Sequence, residues 1–165
     1  MRFRHNVLVW QRLLRKTEYA INCHRGVLWQ PYVLWMRWRF RQRSRYLNIE
    51  IPPNVFGPGL AVTHPGTIVV NPLSKIGKNC RIHVGVVIGE EKDEVPMIGD
   101  NVYIGPGVKI FGGISVGNNV RIGANAVVNK SWPDNVTLVG VPARPVSKTS
   151  LVDEDAHQQI CECAI

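Results

Sequence analysis

Residues 76–128 have the sequence IGKNCRIHVGVVIGEEKDEVPMIGDNVYIGPGVKIFGGISVGNNVRIGANAVV, in which an aliphatic residue returns at every sixth position. The leading residues are Ile76, Ile82, Ile88, Ile98, Ile104, Ile110, Val116, Ile122 and Val128. One interval is longer than the rest, because four additional residues, Glu91 to Glu94, lie between Ile88 and Ile98. A period of six fits neither an α-helix, whose apolar residues return about every 3.6 residues, nor an ordinary hairpin sheet. The stretch is therefore an array of short repeated units.

Two further columns of the repeat indicate what each unit builds. Asn or Gly, which enter the left-handed backbone region at little cost, stands three residues after the leading residue in nearly every unit and marks a corner. The residue after each corner is small or aliphatic and suits a narrow interior. Three units, each a short strand and a corner, close one coil, and stacked coils pair in parallel at about 4.8 Å. Hexapeptide repeats are typical of a parallel β-helix.

The net charge of the 165-residue chain, +8, is concentrated near its N-terminus. Residues 1–47 hold eleven of the twenty Lys and Arg and a single acid, Glu18, which gives +10, and the remaining residues carry −2. A nucleic-acid-binding protein would offer a basic groove or a recognition motif, and the sequence shows neither. We therefore expect one repeat domain with a basic N-terminal arm and no nucleic-acid partner.

The arm also carries four of the five tryptophans. Apolar residues follow a helical spacing at Phe3, Val7, Trp10, Leu14 and Ile21. Gly26 and Pro31 interrupt the pattern, and a second helix is predicted from about Tyr32 to Tyr46. The longest uncharged run, residues 26–36, is too short for a spanning helix, which needs about 20 residues. Tryptophan mixed with arginine favours either contact with an anionic membrane surface or packing of the helices on the β-helix or a neighbouring subunit. Both hypotheses remain open.

Between the arm and the repeats, residues 50–71 have the Pro- and Gly-rich sequence EIPPNVFGPGLAVTHPGTIVVN, which predicts an irregular first coil. The array resembles the hexapeptide acyltransferase family. Together with residues 50–71, the insertion after Ile88 and the closing VGVPAR of residues 139–144, it resembles the serine acetyltransferase branch over about residues 48–146. The resemblance implies an all-β fold, a left-handed parallel β-helix, assembled as a homotrimer. We expect an α-helical arm in residues 1–47, the β-helix domain in residues 48–146 and a tail in residues 147–165.

The resemblance also implies a catalytic pair. Members of that branch carry a His before a Gly/Thr-Ile-Val-Val segment, matched here by His64, and an acid at the start of the first coil, matched with a one-residue gap by Glu50. An alcohol is a weak nucleophile, so a base must take its proton as it attacks an acetyl thioester, and imidazole suits that task. A carboxylate on the other ring nitrogen would orient the base. His83 has no counterpart among the family's catalytic residues and is predicted to border the site.

The donor implied by the resemblance is acetyl-CoA, with direct transfer to a hydroxyl and no metal. Corner residues matching those that hold the pantetheine arm are Gly105, Pro106, Gly123 and Ala124, and small residues permit such a close approach. Lys130 and Arg144, which follow the last regular units, are candidates for the CoA phosphates.

The acceptor implied by the resemblance is a small molecule with a hydroxyl group. Serine acetyltransferases carry an Asp before the catalytic His and an Arg-His pair at the end of the insertion, whereas this chain has Thr63 and Glu94-Val95. We therefore expect a sugar of a surface polysaccharide or its precursor, as in short exopolysaccharide and capsule acetyltransferases. The alternatives are serine acetylation in cysteine biosynthesis and an inactive β-helix scaffold for interactions.

Charges at Arg12, Arg15 and Lys16 break any apolar core of a signal peptide, so a cytoplasmic protein is expected, in one hypothesis peripheral to the inner face of the membrane. Cys80 is predicted to point inward, and Cys161 and Cys163 to belong to a loose tail.

Overall fold

The computed structural model describes residues 2–24 and 26–146, with side chains from Asn6 onward. Helix α1 (Arg2–Cys23) and helix α2 (Gln30–Leu47) are joined through a short 3-10 helix, Val27–Trp29. The break between them falls at Gly26, whose φ of 133° suits glycine, and Pro31 lies in the first turn of α2. Both predicted helices of the arm are thus present, and α2 ends at Leu47.

Short strands follow from Ile49 to the end of the described residues. They are β1 (Ile49–Glu50), β2 (Ala61–Val62), β3 (Ile68–Val70), β4 (Lys75–Ile76), β5 (Arg81–Ile82), β6 (Val87–Gly89), β7 (Met97–Ile98), β8 (Tyr103–Ile104), β9 (Lys109–Phe111), β10 (Ser115–Val116), β11 (Arg121–Ile122), β12 (Val127–Val128), β13 (Thr137–Val139) and β14 (Arg144–Val146). Successive strands visit three sheets in turn. Sheet 1 contains β1, β3, β6, β9 and β12; sheet 2 contains β4, β7 and β10; sheet 3 contains β2, β5, β8, β11, β13 and β14.

Among the described strands, every pairing between neighbouring coils is parallel, and only β14 runs antiparallel, against β13. Within the described residues the strands complete five coils. The leading residues of the repeat point inward and stack in columns, as with Ile82, Ile104, Ile122 and Leu138, each fully buried. Cys80 also lies inside, and burial raises the pKa of its thiol to about 12. The predicted β-helix with an N-terminal helical arm is confirmed.

The asparagines of the repeat form the predicted corners. Asn79, Asn101 and Asn119 have φ values of 54°, 58° and 56°. Their side chains also form a ladder, because each amide donates to the next asparagine's oxygen, from Asn79 through Asn101 and Asn119 to Asn135, at 3.0–3.1 Å. The corner column therefore stabilises the stack as well as turning the chain.

Helix α1 covers the lower end of the β-helix. Its buried residues Val7, Trp10 and Leu14 join the same apolar core as the coils. Arg15 donates to the carbonyl oxygens of Phe56 and Gly57, and Gln11 Nε2 donates to that of Leu60 at 2.7 Å. Packing of the arm on the β-helix is thus real for Trp10, whereas Trp29, Trp35 and Trp38 are exposed.

Two further findings concern membrane-spanning helices and the C-terminal tail. Within the described ranges, no helix combines the length and apolar character required to cross a bilayer. The tail at residues 147–165, which includes Cys161 and Cys163, lies outside the described residues.

Candidate active site

His64 lies on a turn from sheet 3 to sheet 1 that is longer than its neighbours. Val62 pairs with Ile82 and Val69 with Val87, so six residues separate the paired positions in the first coil and four in the next. The two additional residues make an outward bulge, residues 63–67, and the His64 side chain on it is exposed. The Gly66 amide bonds to the Leu47 carbonyl at 3.1 Å, which fixes the bulge to the end of α2. The first coil thus presents an imidazole to solvent on an anchored turn.

The turns above this bulge form a column that we call the histidine corner, residues 63–67, 83–86, 105–108, 123–126 and 140–143. Hydrogen bonds connect its successive levels: the amides of Gly85, Gly107 and Asn125 donate to the carbonyl oxygens of Thr67, Val84 and Pro106. His64, His83, Gly105, Pro106, Gly123 and Ala124 all lie on this column, and Arg144 follows its top level. With about 4.8 Å per coil, the column is roughly 19 Å long from His64 to Arg144.

His83 lies directly above the bulge. Its Nδ1 is 3.0 Å from Thr63 Oγ1, and its ring lies 5.1 Å from that of Tyr103, centroid to centroid. Nε2 of His83 is buried and has no hydrogen-bond partner in the described structure. Burial, then the nearby Arg81 and then His64 lower the pKa of His83, so its neutral form is favoured. The prediction that His83 borders the site agrees with this position beside His64.

Glu50 lies elsewhere on the first coil. It pairs with Val69 on the outer side of sheet 1 and lines a cleft of about 840 Å³ between the coil and α2. The lining includes Thr67, Arg37, Arg41 and Arg45 but not His64, and the Glu50 carboxylate forms no hydrogen bond or ion pair with any described residue. The structure therefore shows no contact between Glu50 and His64, and the role of Glu50 stays a prediction.

The corner glycines are enforced by the neighbouring coils. A Cβ on Gly105 would lie 2.8 Å from the Ile122 carbonyl oxygen, and one on Gly123 would lie 2.9 Å from Val139 Cγ1. Stacking alone therefore requires glycine at Gly105, whose near neighbours are backbone atoms, whereas at Gly123 the nearest atom belongs to the Val139 side chain. Pro106 and Ala124 are exposed and line the outside of the same column.

Lys130 and the insertion lie at a different corner. Both are on the turns from sheet 1 to sheet 2, at the opposite end of the sheet 1 strands from His64. The insertion forms a tight hairpin in which Glu91 and Glu94 pair, with φ values of 53° at Lys92 and 63° at Asp93. Within one chain, Glu94 and Lys130 are therefore separated from His64 by the width of sheet 1. The acidic insertion of a chain therefore does not lie on the same corner as the His64 of that chain.

Sequence reasoning missed the group around His83. Arg81, Tyr103 and Arg121 occupy successive outward positions of sheet 3, and the Arg121 guanidinium lies 5.7 Å from the Tyr103 ring centre. Arg81 is close enough to His83 to help lower the pKa of that imidazole. Counting back from the regular repeat could have placed Arg81 and His83 on one strand end, but nothing in the irregular first coil gave its register.

Comparisons with known proteins agree with the hexapeptide-repeat fold. Residues 96–130 match the family model described as bacterial transferase hexapeptide (six repeats). The serine acetyltransferase of Synechococcus elongatus is 33% identical over 150 residues, covering 86% of this chain and 62% of the relative. That of Staphylococcus epidermidis is 41% identical over 113 residues, covering 65% of this chain and 53% of the relative. The chain therefore spans only about half to three fifths of the length of these relatives.

Solved structures give the same result. A serine acetyltransferase in complex with CoA matches with a TM-score of 0.70 and 33% identity, over 86% of this chain and 57% of that protein. The Neisseria gonorrhoeae serine acetyltransferase in complex with serine matches with a TM-score of 0.66 and 28% identity, over 84% and 55%. The repeats, the coils and these matches define a hexapeptide-repeat protein with a parallel β-helix. The chain carries bacterial transferase hexapeptide repeats, and the relatives and solved structures that it resembles are serine acetyltransferases.

Proposed function

We propose that this chain is an O-acetyltransferase that uses acetyl-CoA as donor and His64 as general base. The observation that carries the proposal is the histidine corner, because one continuous column joins an exposed imidazole to the small residues at Gly105 and Gly123 and to Arg144. The similarity to serine acetyltransferases, one of them solved with CoA, supports the donor. The inactive scaffold is the less economical hypothesis, since it gives no reason for the His64 bulge.

The proposed reaction is direct acyl transfer. His64 takes the proton of the acceptor hydroxyl while the oxygen attacks the thioester carbonyl carbon. The tetrahedral intermediate then expels the CoA thiolate, which receives that proton from the imidazolium. Neutral His83, bonded to Thr63 at the foot of the bulge, adds no positive charge that would oppose protonation of His64. Among the described residues no three His, Cys, Asp or Glu side chains gather as ligands for a metal ion.

In this proposal CoA lies along the histidine corner, with its thioester near His64 and its phosphates near Arg144. The length of the column, roughly 19 Å, suits an extended pantetheine arm. Arg144→Gln should raise the KM for acetyl-CoA about tenfold, since a charge-assisted hydrogen bond contributes on the order of 1.5–3 kcal/mol when well formed. Lys130→Gln removes the same charge at the other corner and serves as the matched control.

Steady-state kinetics and calorimetry with CoA decide this arrangement. An unchanged KM in Arg144→Gln with a raised KM in Lys130→Gln would place CoA along the other corner. Ala124→Trp, which fills the outside of the column without entering the core, should also weaken CoA binding. If the folded wild type binds no CoA at millimolar ligand, the hypothesis of an inactive scaffold replaces the hypothesis of an enzyme.

Serine is the first acceptor we propose, as the relatives' names suggest. Free serine is a zwitterion, and each of its charges needs a partner because an uncompensated buried charge is costly. Arg81, whose charge helps to lower the pKa of His83, is the cation that we propose for its carboxylate. This cation is the reason to place serine ahead of a sugar, which was favoured from the sequence alone.

A neutral sugar hydroxyl, on a surface polysaccharide or its precursor, is the second candidate. The observation that favours it is the lack of an anion for the serine ammonium: the described groups that act on the charge of His83 are Arg81 and His64. Thr63 stands where the branch has an Asp, and its hydroxyl is engaged by His83. A sugar would leave no charge uncompensated.

Three acceptors separate these proposals: serine, glycerate, which keeps the carboxylate but lacks the ammonium, and a neutral monosaccharide such as N-acetylglucosamine. A kcat/KM for serine of about 10⁴ M⁻¹s⁻¹ or more would establish serine acetylation. Glycerate acting as well as serine would show that only the carboxylate is recognised, through Arg81, and Arg81→Gln should then abolish the difference from the sugar. Transfer to the monosaccharide alone would establish the sugar.

The assembly we propose is a homotrimer, on the strength of the resemblance, with the CoA groove between adjacent subunits. Sedimentation equilibrium tests it, since a trimer has three times the 18.5 kDa mass of the chain. A monomer that releases CoA with full activity would refute the shared groove.

A further inference from the structure

Helix α2 has a second apolar side that faces solvent. Its buried side, Val33, Met36, Phe40 and Leu47, packs on α1 and the first coil. The opposite side and the preceding 3-10 helix present what we call the tryptophan face: Val27, Leu28, Trp29, Leu34, Trp35 and Trp38. Leu28 is 94% exposed and Val27 86%. Contiguous exposed apolar surface of this kind marks a site of interaction.

Ring contacts hold the tip of the hairpin in place. The His24 ring lies 4.4 Å from that of Trp29, Trp29 is 6.3 Å from Tyr32, and Tyr32 is 6.3 Å from Trp35. No residue of the 3-10 helix is buried. The aromatic chain therefore orders the turn while leaving Val27 and Leu28 outside the fold, so their exposure does not result from a missing internal contact.

The same helix is strongly basic. Residues 19–49 contain no acid, and arginines stand at 37, 39, 41, 43 and 45. Arg37, Arg39, Arg41 and Arg45 are exposed. All but Arg39 also line the cleft that holds Glu50, but none of the four forms an ion pair with a described residue. Arg39 lies over the Trp35 ring at 5.3 Å, so cation and aromatic surface are interleaved.

We propose that the tryptophan face docks on an anionic lipid surface, with the tryptophans and leucines at the boundary of the acyl chains and the arginines among the phosphate headgroups. Tryptophan is favoured at that interface, and each basic residue near an anionic surface strengthens binding. A second copy of the chain is a poorer occupant, because a two-fold contact would bring two arginine-rich helices together. A nucleic acid would pair with the arginines but offers no apolar layer for Val27, Leu28 and Leu34. The proposal goes beyond acetyl transfer and uses no residue of the histidine corner.

Vesicle sedimentation with the full chain tests the proposal. The wild type should bind vesicles of phosphatidylcholine mixed with phosphatidylglycerol, bind phosphatidylcholine alone much less, and lose binding as salt rises. Leu28→Ser with Trp38→Ser should lower the partition coefficient at least about tenfold, since apolar area no longer leaves water. Leu73→Ser, a leucine 66% exposed on the β-helix, is the matched control and should bind as the wild type does.

Substitution of the arginines tests whether their charges contribute to lipid binding. Arg39→Gln, Arg41→Gln and Arg45→Gln together should lower partition on the order of a hundredfold, at about fivefold for each charge. Lys75→Gln, Lys78→Gln and Lys92→Gln remove three exposed charges from the β-helix and should change it little. Circular dichroism confirms that each variant is folded, since all the substituted residues are exposed.

Three results would overturn the proposal. The first is a wild type that ignores phosphatidylglycerol vesicles at low salt. The second is equal binding by wild type and the Leu28→Ser, Trp38→Ser variant. The third is a concentration-dependent assembly that this variant abolishes in the absence of lipid, which would show that a second copy covers the face. Because lipid binding is measured without acetyl-CoA, failure here is distinct from failure of the proposed activity.

Discussion

The regular coils of this β-helix supply its buried interior, whereas the irregular first coil carries His64, the proposed general base. From Ile76 to Val128 every unit has six residues except the one that carries the Glu91–Glu94 insertion, and the side chains of these units serve the interior column and the corners. In the first coil the turn between Val62 and Val69 is two residues longer than the turn between Ile82 and Val87 above it, and the resulting bulge exposes His64. A strict repeat leaves no place for a projecting group, because each turn is held between its neighbours. The proposed catalytic residue therefore lies where the six-residue period is broken.

The largest effect that sharpens this comparison is expected at the bulge. His64→Ala should lower kcat about 10²–10⁴-fold, the contribution of a positioned general base, with the free energy of unfolding nearly unchanged because the side chain is exposed. Measurements of turnover and of chemical denaturation on the same samples check the expected fall in kcat and the unchanged free energy of unfolding. Loss of activity in His83→Ala but not in His64→Ala would move the base to the second coil.

In the regular coils the converse is expected. Ile104→Ala should lower the free energy of unfolding by about 2–5 kcal/mol, because the side chain is fully buried between stacked coils. Met97→Ala, on a neighbouring strand but 58% exposed, should change it by less than about 0.5 kcal/mol. Urea denaturation compares the two, and equal costs would mean that the interior column does not carry the stability.

A smaller effect is expected at the corners. Asn119→Ala should cost about 1–2 kcal/mol, since alanine tolerates a φ of 56° poorly and the ladder to Asn101 and Asn135 is cut. Asn119→Gly keeps the backbone conformation and loses only the ladder, so it should cost less. If the two variants lose equal stability, the ladder and not the backbone determines the choice of asparagine.

The smallest effect concerns pH. The pKa of His83 is lowered in the folded protein, so near and below about pH 6.5 the unfolded state binds more protons and stability falls as pH falls. Above that range His83 contributes no slope. His83→Gln should flatten the decline measured by denaturation between about pH 7.5 and pH 5.5. Parallel declines in variant and wild type would show that other groups cause the loss.

The sequence predicted the parts of the molecule that depend on local spacing. The period of six identified the coils, the asparagines identified the corners, and the spacing of Val7, Trp10 and Leu14 identified α1. In each case neighbouring residues along the chain determine the conformation, so the pattern is visible without the fold.

What the sequence did not predict depends on contacts between distant residues. Thr63 meets His83 only because the first two coils stack in a register that the bulge conceals. The position of Glu50 in a cleft under α2, away from His64, depends on how the arm packs. The tryptophans looked alike in sequence, yet Trp10 closes the core while Trp35 and Trp38 face solvent, which only the packing of the two helices decides.

The contacts of α1 with the first coil also cover the lower end of the solenoid, where a further coil would otherwise stack. An uncovered end coil would offer a row of unpaired backbone groups on which another chain could add its strands. Arg15 and Gln11 occupy three of those carbonyl oxygens, and Glu18 accepts the Asn54 amide at 2.8 Å. At the other end the antiparallel strand β14 reverses the chain across the last coil. Both ends of the described β-helix are thereby partly covered, which disfavours the addition of another chain's strands to the stack.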